Sequence, residues 1–344
     1  MIMLGKRSSF TVACVWGVLI GCGSPDADRE NRAPGLQAAP AEGTPVENAG
    51  FLGDVSGVVI TTKRYGHPPN VYLVGPEGKQ LLYTGAYAVK WIESWKALAL
   101  ANRTGVFGYD SNPGGREVKY RWTECVDGPI LCDVSASGEV AALWSDGRVV
   151  VYGSDIVESQ RVFTREWIQD GARVRGALYG SFVVGIALQP SGRYLAVTVG
   201  SEKVEETSGA AYPATALIDL ETQRVRFLRD GAPIVWLDDE TLVLLDSPYD
   251  ADVDADLEAI VVSRFGKVLG KLRGVMAVGA GPASTVLLLR EEIEKRKGSV
   301  SGPVFVEVRS KDLKVLLKRF DSGISDWREV EGFTVTYFRS TVKE

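Results

Sequence analysis

The stretch ALQPSGRYLAVTV, residues 187–199, decides the fold class of this chain. Two apolar runs flank Gly192, and glycine at such a turn supplies the positive φ angle that tight hairpins require. The stretch therefore predicts a strand, a short turn and a second strand. Similar hairpin phrases occur at 133–144, 236–245, 279–289 and 327–338. A hairpin that recurs along the chain is typical of a repeat protein.

The turns of these hairpins recur at a nearly constant interval. Their positions are Ser94, Gly138, Gly192, Glu240, Ser284 and Gly332, which gives gaps of 44, 54, 48, 44 and 48 residues. A second series of hairpins alternates with the first, at 72–83, 108–120, 150–163, 216–228, 260–272 and 306–320. Two interleaved series mean four strands in each unit. A four-stranded unit of this length is a propeller blade.

Six turns in each series predict an all-β, six-bladed β-propeller of four-stranded antiparallel blades. We expect the N- and C-terminal strands to close the ring, with the hairpin at 324–339 joining the hairpin at 70–84, because closure leaves no blade edge open. Residues 55–62 also have a strand pattern and compete for the same place. They add a fifth strand, or the ring has seven blades; six blades is the preferred prediction.

The best-formed repeat resembles a known group of proteins. Residues 189–228, with QPSGRYLAV and ALIDLETQRVRFL, are similar to the TolB-like, WD-like propeller repeats of bacterial envelope proteins. SASGEVAAL (135–143) and WLDDETLVLL (236–245) match in part, and Ser191 stands where these repeats usually have Asp. The resemblance is therefore to the wider repeat class. It implies docking within an envelope complex, and it carries over no functional residue because the shared positions form turns and packing.

The N-terminus has the layout of a signal peptide, which we assign to residues 1–21. Lys6 and Arg7 precede an uncharged run at 10–20 that is too short to cross a bilayer of about 30 Å as a helix. The sequence then continues Leu-Ile-Gly-Cys, which resembles the lipobox of bacterial lipoproteins. The resemblance implies that Cys22 is lipidated and becomes the first residue of the mature chain. An ordinary secretory signal with an unmodified Cys22 is the alternative.

The mature chain divides into a tether and one folded domain. Residues 22–50 are rich in Pro, Gly and Ala and poor in large aliphatic side chains, so we expect a disordered tether that spans on the order of 30 Å. Residues 51–344 form the β-propeller domain. Gly23 follows the cysteine, and by the lipoprotein resemblance this favours the outer membrane, facing the periplasm.

Charge excludes one class of partner. The chain has 39 basic and 44 acidic residues, and loss of Lys6 and Arg7 with the signal peptide leaves 37 against 44, or −7. Nucleic acid requires a stripe of Lys and Arg, and the chain has no basic cluster, so nucleic acid is not expected as a partner. The expected partners are the membrane, through the N-terminal lipid, and an envelope protein of unknown identity. We expect a monomer.

Two cysteines remain in the folded domain. Cys125 and Cys132 stand in ECVDGPILCD, and in an oxidising periplasm such a pair is a disulfide candidate. Two separately buried thiols are the alternative, because spacing alone does not guarantee the geometry of a bridge.

Long excursions between strands predict a working face. Four of them fall in the second turn of a blade and should lie on one face of the ring, at 63–70, 200–214, 246–259 and 290–302. Loops on a rigid scaffold are where binding residues concentrate. The alternative is that they are tolerated insertions, since added loop length has little effect on stability.

One of these excursions is acidic and raises calcium as the only cofactor that the sequence offers. Its oxygen ligands would be Asp250, Asp252, Asp254, Asp256 and Glu258. An EF-hand counted from Asp250 is rejected because Ala255 and Val261 stand where Gly and Glu are needed. A solvated run of charge is the alternative.

Catalytic chemistry has little support. The chain contains one histidine, His67, beside two prolines, and no G-x-S-x-G motif, so no Ser-His-Asp triad and no catalytic residue is predicted. The preferred function is therefore a lipid-anchored interaction scaffold that binds through the long-loop face, and an enzyme is not favoured. The rival is a small-ligand or Ca²⁺-dependent binding protein or enzyme with a site at the propeller axis, lined by Lys90, Glu93, Asp133 and Asp326.

Overall fold

The computed structural model of the chain supports a description of most of the predicted propeller domain. The described residues are 55–62, 69–75, 78–86, 88–102, 104–109, 116–121, 129, 131–153, 160–176, 184–204, 211–246, 257–291, 302–324 and 330–339. The predicted signal peptide, the tether and Cys22 lie outside them and stay predictions.

The described strands form six blades of four antiparallel strands, as predicted. Blades 6 and 1 join into one eight-stranded sheet through a single parallel bridge, Val278 to Thr334, between their innermost strands. Blade 1 contains β24 (Val330–Arg339), β1 (Val55–Thr62), β2 (Asn70–Gly75) and β3 (Gly78–Thr84). Blade 2 contains β4 (Ala88–Ile92), β5 (Ala97–Asn102), β6 (Gly105–Tyr109) and β7 (Arg116–Arg121). Blade 3 contains β8 (Leu131–Val134), β9 (Val140–Leu143), β10 (Val149–Tyr152) and β11 (Gln160–Phe163).

The second half of the ring repeats the same plan. Blade 4 contains β12 (Ile186–Leu188), β13 (Tyr194–Val204), β14 (Ala211–Asp219) and β15 (Arg224–Asp230). Blade 5 contains β16 (Ala232–Asp238), β17 (Thr241–Asp246), β18 (Leu257–Ser263) and β19 (Val268–Val275). Blade 6 contains β20 (Ala277–Ala280), β21 (Val286–Glu291), β22 (Val304–Arg309) and β23 (Leu316–Ile324).

The hairpin that decided the fold class has the predicted register. Leu188 pairs with Leu195, and Gly192 lies in the turn with a φ angle of +75°. Five of the six turns in its series connect the first and second strands of a blade. The innermost strands of neighbouring blades then pack around the axis.

Closure of the ring is confirmed, but its arrangement differs from the predicted pairing of two hairpins. β24 is a single strand that pairs with β1, with Val58 opposite Tyr337, and it forms no hairpin around Gly332. The C-terminus thus supplies one strand of blade 1 and the N-terminus supplies three. Residues 55–62 are the second strand of that blade, so they add neither a fifth strand nor a seventh blade. The reason is burial: Val58 and Ile60 are fully enclosed when β1 lies next to β24.

Neighbouring blades pack closely through their innermost strands, including where the chain ends meet. A Cβ atom on Gly279 in β20 would lie 1.5 Å from the carbonyl oxygen of Val335 in β24. Trp91 stacks edge-on against Phe338 of blade 1, with ring centroids 5.6 Å apart. Trp236 donates its indole N–H to the carbonyl oxygen of Ala187 in blade 4. Both tryptophans therefore pack between blades.

One helix, which the sequence patterns do not predict, packs on blade 4. Helix α1 (Arg165–Ala172) begins after Thr164, whose hydroxyl accepts a hydrogen bond from the backbone N–H of Trp167. Ile168 and Ala172 are buried in the apolar cluster between blades 3 and 4. In the described part of the chain, no helix has the length and apolar character needed to cross a membrane.

Candidate interaction face

The direction of the strands divides the ring into two faces. Turns between first and second strands and between third and fourth strands lie on one side, which we call the short-turn face. Its first-to-second turns are 93–96, 135–139, 189–193, 239–240 and 281–285. Turns between second and third strands lie on the other side with the links between blades. We call this side the long-loop face, and its long connections are 63–69, 205–210, 247–256 and 292–303.

All four predicted excursions connect second and third strands, so the topology brings their ends to the long-loop face. Much of the excursion at 200–214 is strand, because β13 continues to Val204 and β14 begins at Ala211. The middle of each connection lies outside the described residues. Val204 marks the edge of one of them, with 51% of its surface exposed.

Paired charges occupy the long-loop face where blades 4 and 5 meet. The Nζ atom of Lys203 lies 2.6 Å from Oδ2 of Asp230, whose Oδ1 accepts a hydrogen bond from Ser201. In blade 5, Nζ of Lys271 lies 2.7 Å from Oε2 of Glu258. Two adjacent ion pairs therefore stand at the base of the acidic connection.

Asp246 is a third carboxylate in this group. It ends β17 directly opposite Glu258 of β18, a placement that sets like charges against each other. Burial raises the pKa of the Asp246 carboxyl above its ordinary value, and the carboxylates of Asp230 and Glu258 raise it further, against Lys271 and Lys203. Asp246 thus holds its proton more readily than an exposed aspartate. The sequence patterns did not single out this residue. An acidic residue at the end of an apolar strand, just before an acidic stretch, could have indicated it.

The predicted calcium ligands are only partly within the described residues. Glu258 lies in β18 and its carboxylate contacts Lys271 and, at 3.5 Å, Nε of Arg273. Asp250, Asp252, Asp254 and Asp256 lie outside the described residues. Among the residues that are described, no group of three or more metal-ligating side chains converges. The calcium site stays a prediction.

The predicted disulfide is untested for the same reason. Cys132 lies in β8, where burial raises the pKa of its thiol and Asp133 adds to the rise. A thiol with a raised pKa has little thiolate and is a poor nucleophile. Cys125 lies outside the described residues.

The residues that the rival hypothesis places at the axis form hydrogen bonds and ion pairs with other residues of the propeller. Nζ of Lys90 in β4 lies 2.7 Å from Oδ1 of Asp133 in β8, and it also donates to the carbonyl oxygen of Val134 at 2.9 Å. Oδ2 of Asp133 accepts the backbone N–H of Leu188 in β12 at 2.7 Å. This bridge connects the innermost strands of blades 2, 3 and 4.

Glu93 is also engaged. It accepts the indole N–H of Trp91 at 2.7 Å and forms an ion pair with Arg339 at 2.9 Å. Asp326 lies outside the described residues. The three described candidates therefore act as contacts between strands and blades, and the axial site stays a hypothesis without added support.

Hydrogen bonds between blades cross the short-turn face. The hydroxyl of Ser94 donates to the carbonyl oxygen of Ala136. The backbone N–H of Ala136 in turn donates to the carbonyl oxygen of Pro190 at 3.0 Å. The N–H of Ser191 donates to Oδ1 of Asp239 at 3.0 Å. These bonds join blades 2, 3, 4 and 5 in order.

Comparison with known proteins gives structural likeness only. No protein-family model matches the chain, and no curated protein matches it. Among solved structures, the tricorn protease matches with a TM-score of 0.43 and 12% identity over 80% of this chain and 30% of that chain. The β-propeller domain of Myceliophteria thermophila Cps50 (Swd1) matches with a TM-score of 0.43 and 11% identity over 79% of this chain and 88% of that chain.

A third solved structure is the β-propeller domain of the Trilobed protease from Pyrococcus furiosus. It matches with a TM-score of 0.34 and 8% identity over 58% of this chain and 59% of that chain. The chain thus spans less than two thirds of the tricorn protease and of the Trilobed protease domain.

Proposed function

We propose that the protein is a lipid-anchored scaffold of the cell envelope, and that it binds another envelope protein through the long-loop face. The anchor is the lipidated Cys22 that the lipobox resemblance implies, with residues 22–50 as the tether. The folded domain supplies a fixed platform, and the long connections supply the contacts.

One observation carries the proposal. Four long connections leave the same face of a closed ring, at blades 1, 4, 5 and 6. The strands beneath them are rigid, because their apolar residues are buried between blades. Variable loops on such a scaffold are the usual place for recognition.

A photo-crosslinking pair tests the proposal in living cells. A photoreactive amino acid replaces Val204 at the edge of the long-loop face or, as a matched control, Val162 on the outer strand β11. The two valines are 51% and 55% exposed, so the accessibility of the probe is similar at both positions. We expect a protein adduct from position 204 and none from position 162.

The adduct must also depend on the connections. Removal of residues 251–255 should abolish the adduct at position 204 while the domain stays folded. Adducts of equal yield from both positions, or an adduct that persists without these residues, would refute the proposal. So would the absence of any protein adduct at position 204.

A further inference from the structure

Both ends of the described domain leave the ring on the short-turn face. Val55, the first residue of β1, lies opposite Arg339, the last residue of β24. Arg339 forms its ion pair with Glu93 in the β4–β5 turn of that face. The N-terminal tether therefore attaches to the side opposite the long loops.

Two turns of this face present apolar side chains to solvent. The β18–β19 turn of blade 5 carries Phe265, which is 72% exposed. In blade 6, Val315 lies in the β22–β23 turn and Leu316 begins β23, and they are 54% and 44% exposed. We call these two turns the apolar tips.

Local hydrogen bonds fix the blade 5 tip. The N–H of Gly266 donates to the carbonyl oxygen of Ser263 at 2.8 Å, and the N–H of Ser263 donates to Lys267 at 2.8 Å. Gly266 has a φ angle of +86°, which this turn requires. The backbone thus holds Phe265 away from the body of the ring.

The blade 6 tip is braced in the same way. The hydroxyl of Ser310 donates to Oδ1 of Asp312 at 2.6 Å, and its oxygen accepts the N–H of Val315 at 3.0 Å. Leu313 is buried beneath the turn and anchors it. The exposure of Val315 is therefore a fixed property of the turn.

Three basic side chains of the tips, Arg264, Lys311 and Lys314, form ion pairs, and two of these pairs place the tips side by side. Arg264 of the blade 5 tip lies 2.9 Å from Glu240, and Lys311 of the blade 6 tip pairs with Asp238. Both acids belong to one short segment at the β16–β17 turn. In addition, Lys314 pairs with Asp312 at 3.4 Å. Paired charges reduce the penalty of approaching a surface of low polarity.

We propose that the short-turn face lies against the lipid bilayer and that Phe265, Val315 and Leu316 enter its headgroup region. The inference rests on the proposed lipid anchor, because the tether then starts at the membrane and ends on this face, within on the order of 30 Å. Aromatic and aliphatic side chains on projecting turns suit the interface of a bilayer. The long-loop face then points away from the membrane, free for a protein partner.

Lipid crosslinking tests the orientation. The lipidated protein is reconstituted in vesicles of phosphatidylethanolamine and phosphatidylglycerol, with a photoreactive amino acid in place of Phe265, Val315 or Val204. We expect adducts heavier by one phospholipid at positions 265 and 315, and none at 204 on the opposite face. Phe227, 42% exposed on the outer strand β15, serves as an aromatic control and should also give none.

A second measurement isolates the tips from the anchor. The unlipidated chain from residue 22, with Cys22→Ser, is mixed with the same vesicles, and the bound fraction is measured by flotation. Phe265→Ser should weaken this binding by roughly tenfold, because a Phe side chain loses its burial. Its melting temperature should not change, since Phe265 is exposed in the folded protein.

The outcomes separate the two proposals. No lipid adduct at position 265, or equal adducts at 265 and 204, overturns the orientation even if acylated Cys22 is found by mass spectrometry. A protein adduct at 265 in cells, with no lipid adduct, also overturns it and makes the short-turn face a protein interface. Absence of acyl groups on Cys22 refutes the anchor, and failure of the Val204 crosslink refutes the scaffold.

Discussion

The two faces of the ring differ in how their connections are built. On the short-turn face, turns of neighbouring blades hydrogen bond to one another, as Ala136 does to Pro190 and Ser191 does to Asp239. On the long-loop face, charged strand ends carry long connections. The comparison teaches that on the short-turn face the turns themselves join the blades, whereas on the long-loop face the bonds between blades come from strand ends, as when Arg290 donates to the carbonyl oxygen of Gly274. Changes near the axis and the short-turn face should therefore affect stability most.

Removal of β24 should have the largest effect. A chain that ends at residue 329 lacks the innermost strand of blade 1, so Val58 and Ile60 lose the strand that covers them. We expect loss of cooperative thermal unfolding, measured by circular dichroism. A chain that ends at residue 339 keeps β24 and should melt like the full chain. If the shorter chain also melts like the full chain, closure by β24 is not needed for the fold.

Asp133→Ala should have the next largest effect. The substitution removes the carboxylate that accepts from the N–H of Leu188 and pairs with the ammonium group of Lys90, and with it the bridge between blades 2, 3 and 4. We expect a loss of roughly 3 kcal/mol in the free energy of unfolding by urea, as for other broken buried pairs. Asp146→Ala is the control, because its pair with Arg148 is largely exposed and should contribute less than about 1 kcal/mol. Equal losses from both variants would contradict a special role for the axis bridge.

Asp246→Asn should have a small effect that depends on pH. The raised pKa of Asp246 means that its contribution to stability is present below the unfolded-state pKa of about 4 and is lost as pH rises through the folded-state pKa. The variant should therefore gain stability relative to the native chain as pH rises. Partial exposure limits the gain to less than about 1 kcal/mol. Urea unfolding of both chains from about pH 4 to about pH 8 measures this difference in stability.

Asp312→Asn gives a control of opposite sign. Hydrogen bonds from Ser310 and Lys314 lower the pKa of the Asp312 carboxyl, so its contribution is present above the unfolded-state pKa and is lost as pH falls. The variant should lose stability relative to the native chain near neutral pH and approach it in acid. A difference that is independent of pH in both variants would refute the electrostatic account.

Shortening the blade 5 connection should have the smallest effect. Deletion of residues 251–255 halves the segment between β17 and β18, and halving a flexible loop changes its closure free energy by only about 0.6 kcal/mol. Deletion of residues 294–298 from the blade 6 connection should have a similar effect. A loss of several kcal/mol from either deletion would mean that the long connections themselves stabilise the ring.

Particular residues explain what could be read in advance. The hairpin around Gly192 was predictable because both strands and the turn lie within thirteen residues, and Leu188 pairs with nearby Leu195. The segment around Gly332 has the same local pattern but forms one long strand. Its partner β1 lies at the other end of the chain, and no local pattern can identify it.

The candidate site was predictable in outline only. The long connections were visible as gaps between strand patterns, and their common face followed from the order of strands. The contacts of Lys203 with Asp230 and of Lys271 with Glu258 were not visible, because each depends on the distance between strand ends in space. The exposure of Phe265 also depended on the turn geometry and on the packing of the neighbouring blade.

By itself, the sequence determined the repeating hairpins, the four strands of each blade and the positions of the long turns. These features depend on alternation and turn residues within short windows of chain. Only the tertiary structure decided the one-plus-three closure of blade 1, the bonding of Lys90 with Asp133, and the exit of both chain ends on the short-turn face. These features depend on contacts between residues far apart in sequence, whose distances are set when the ring closes.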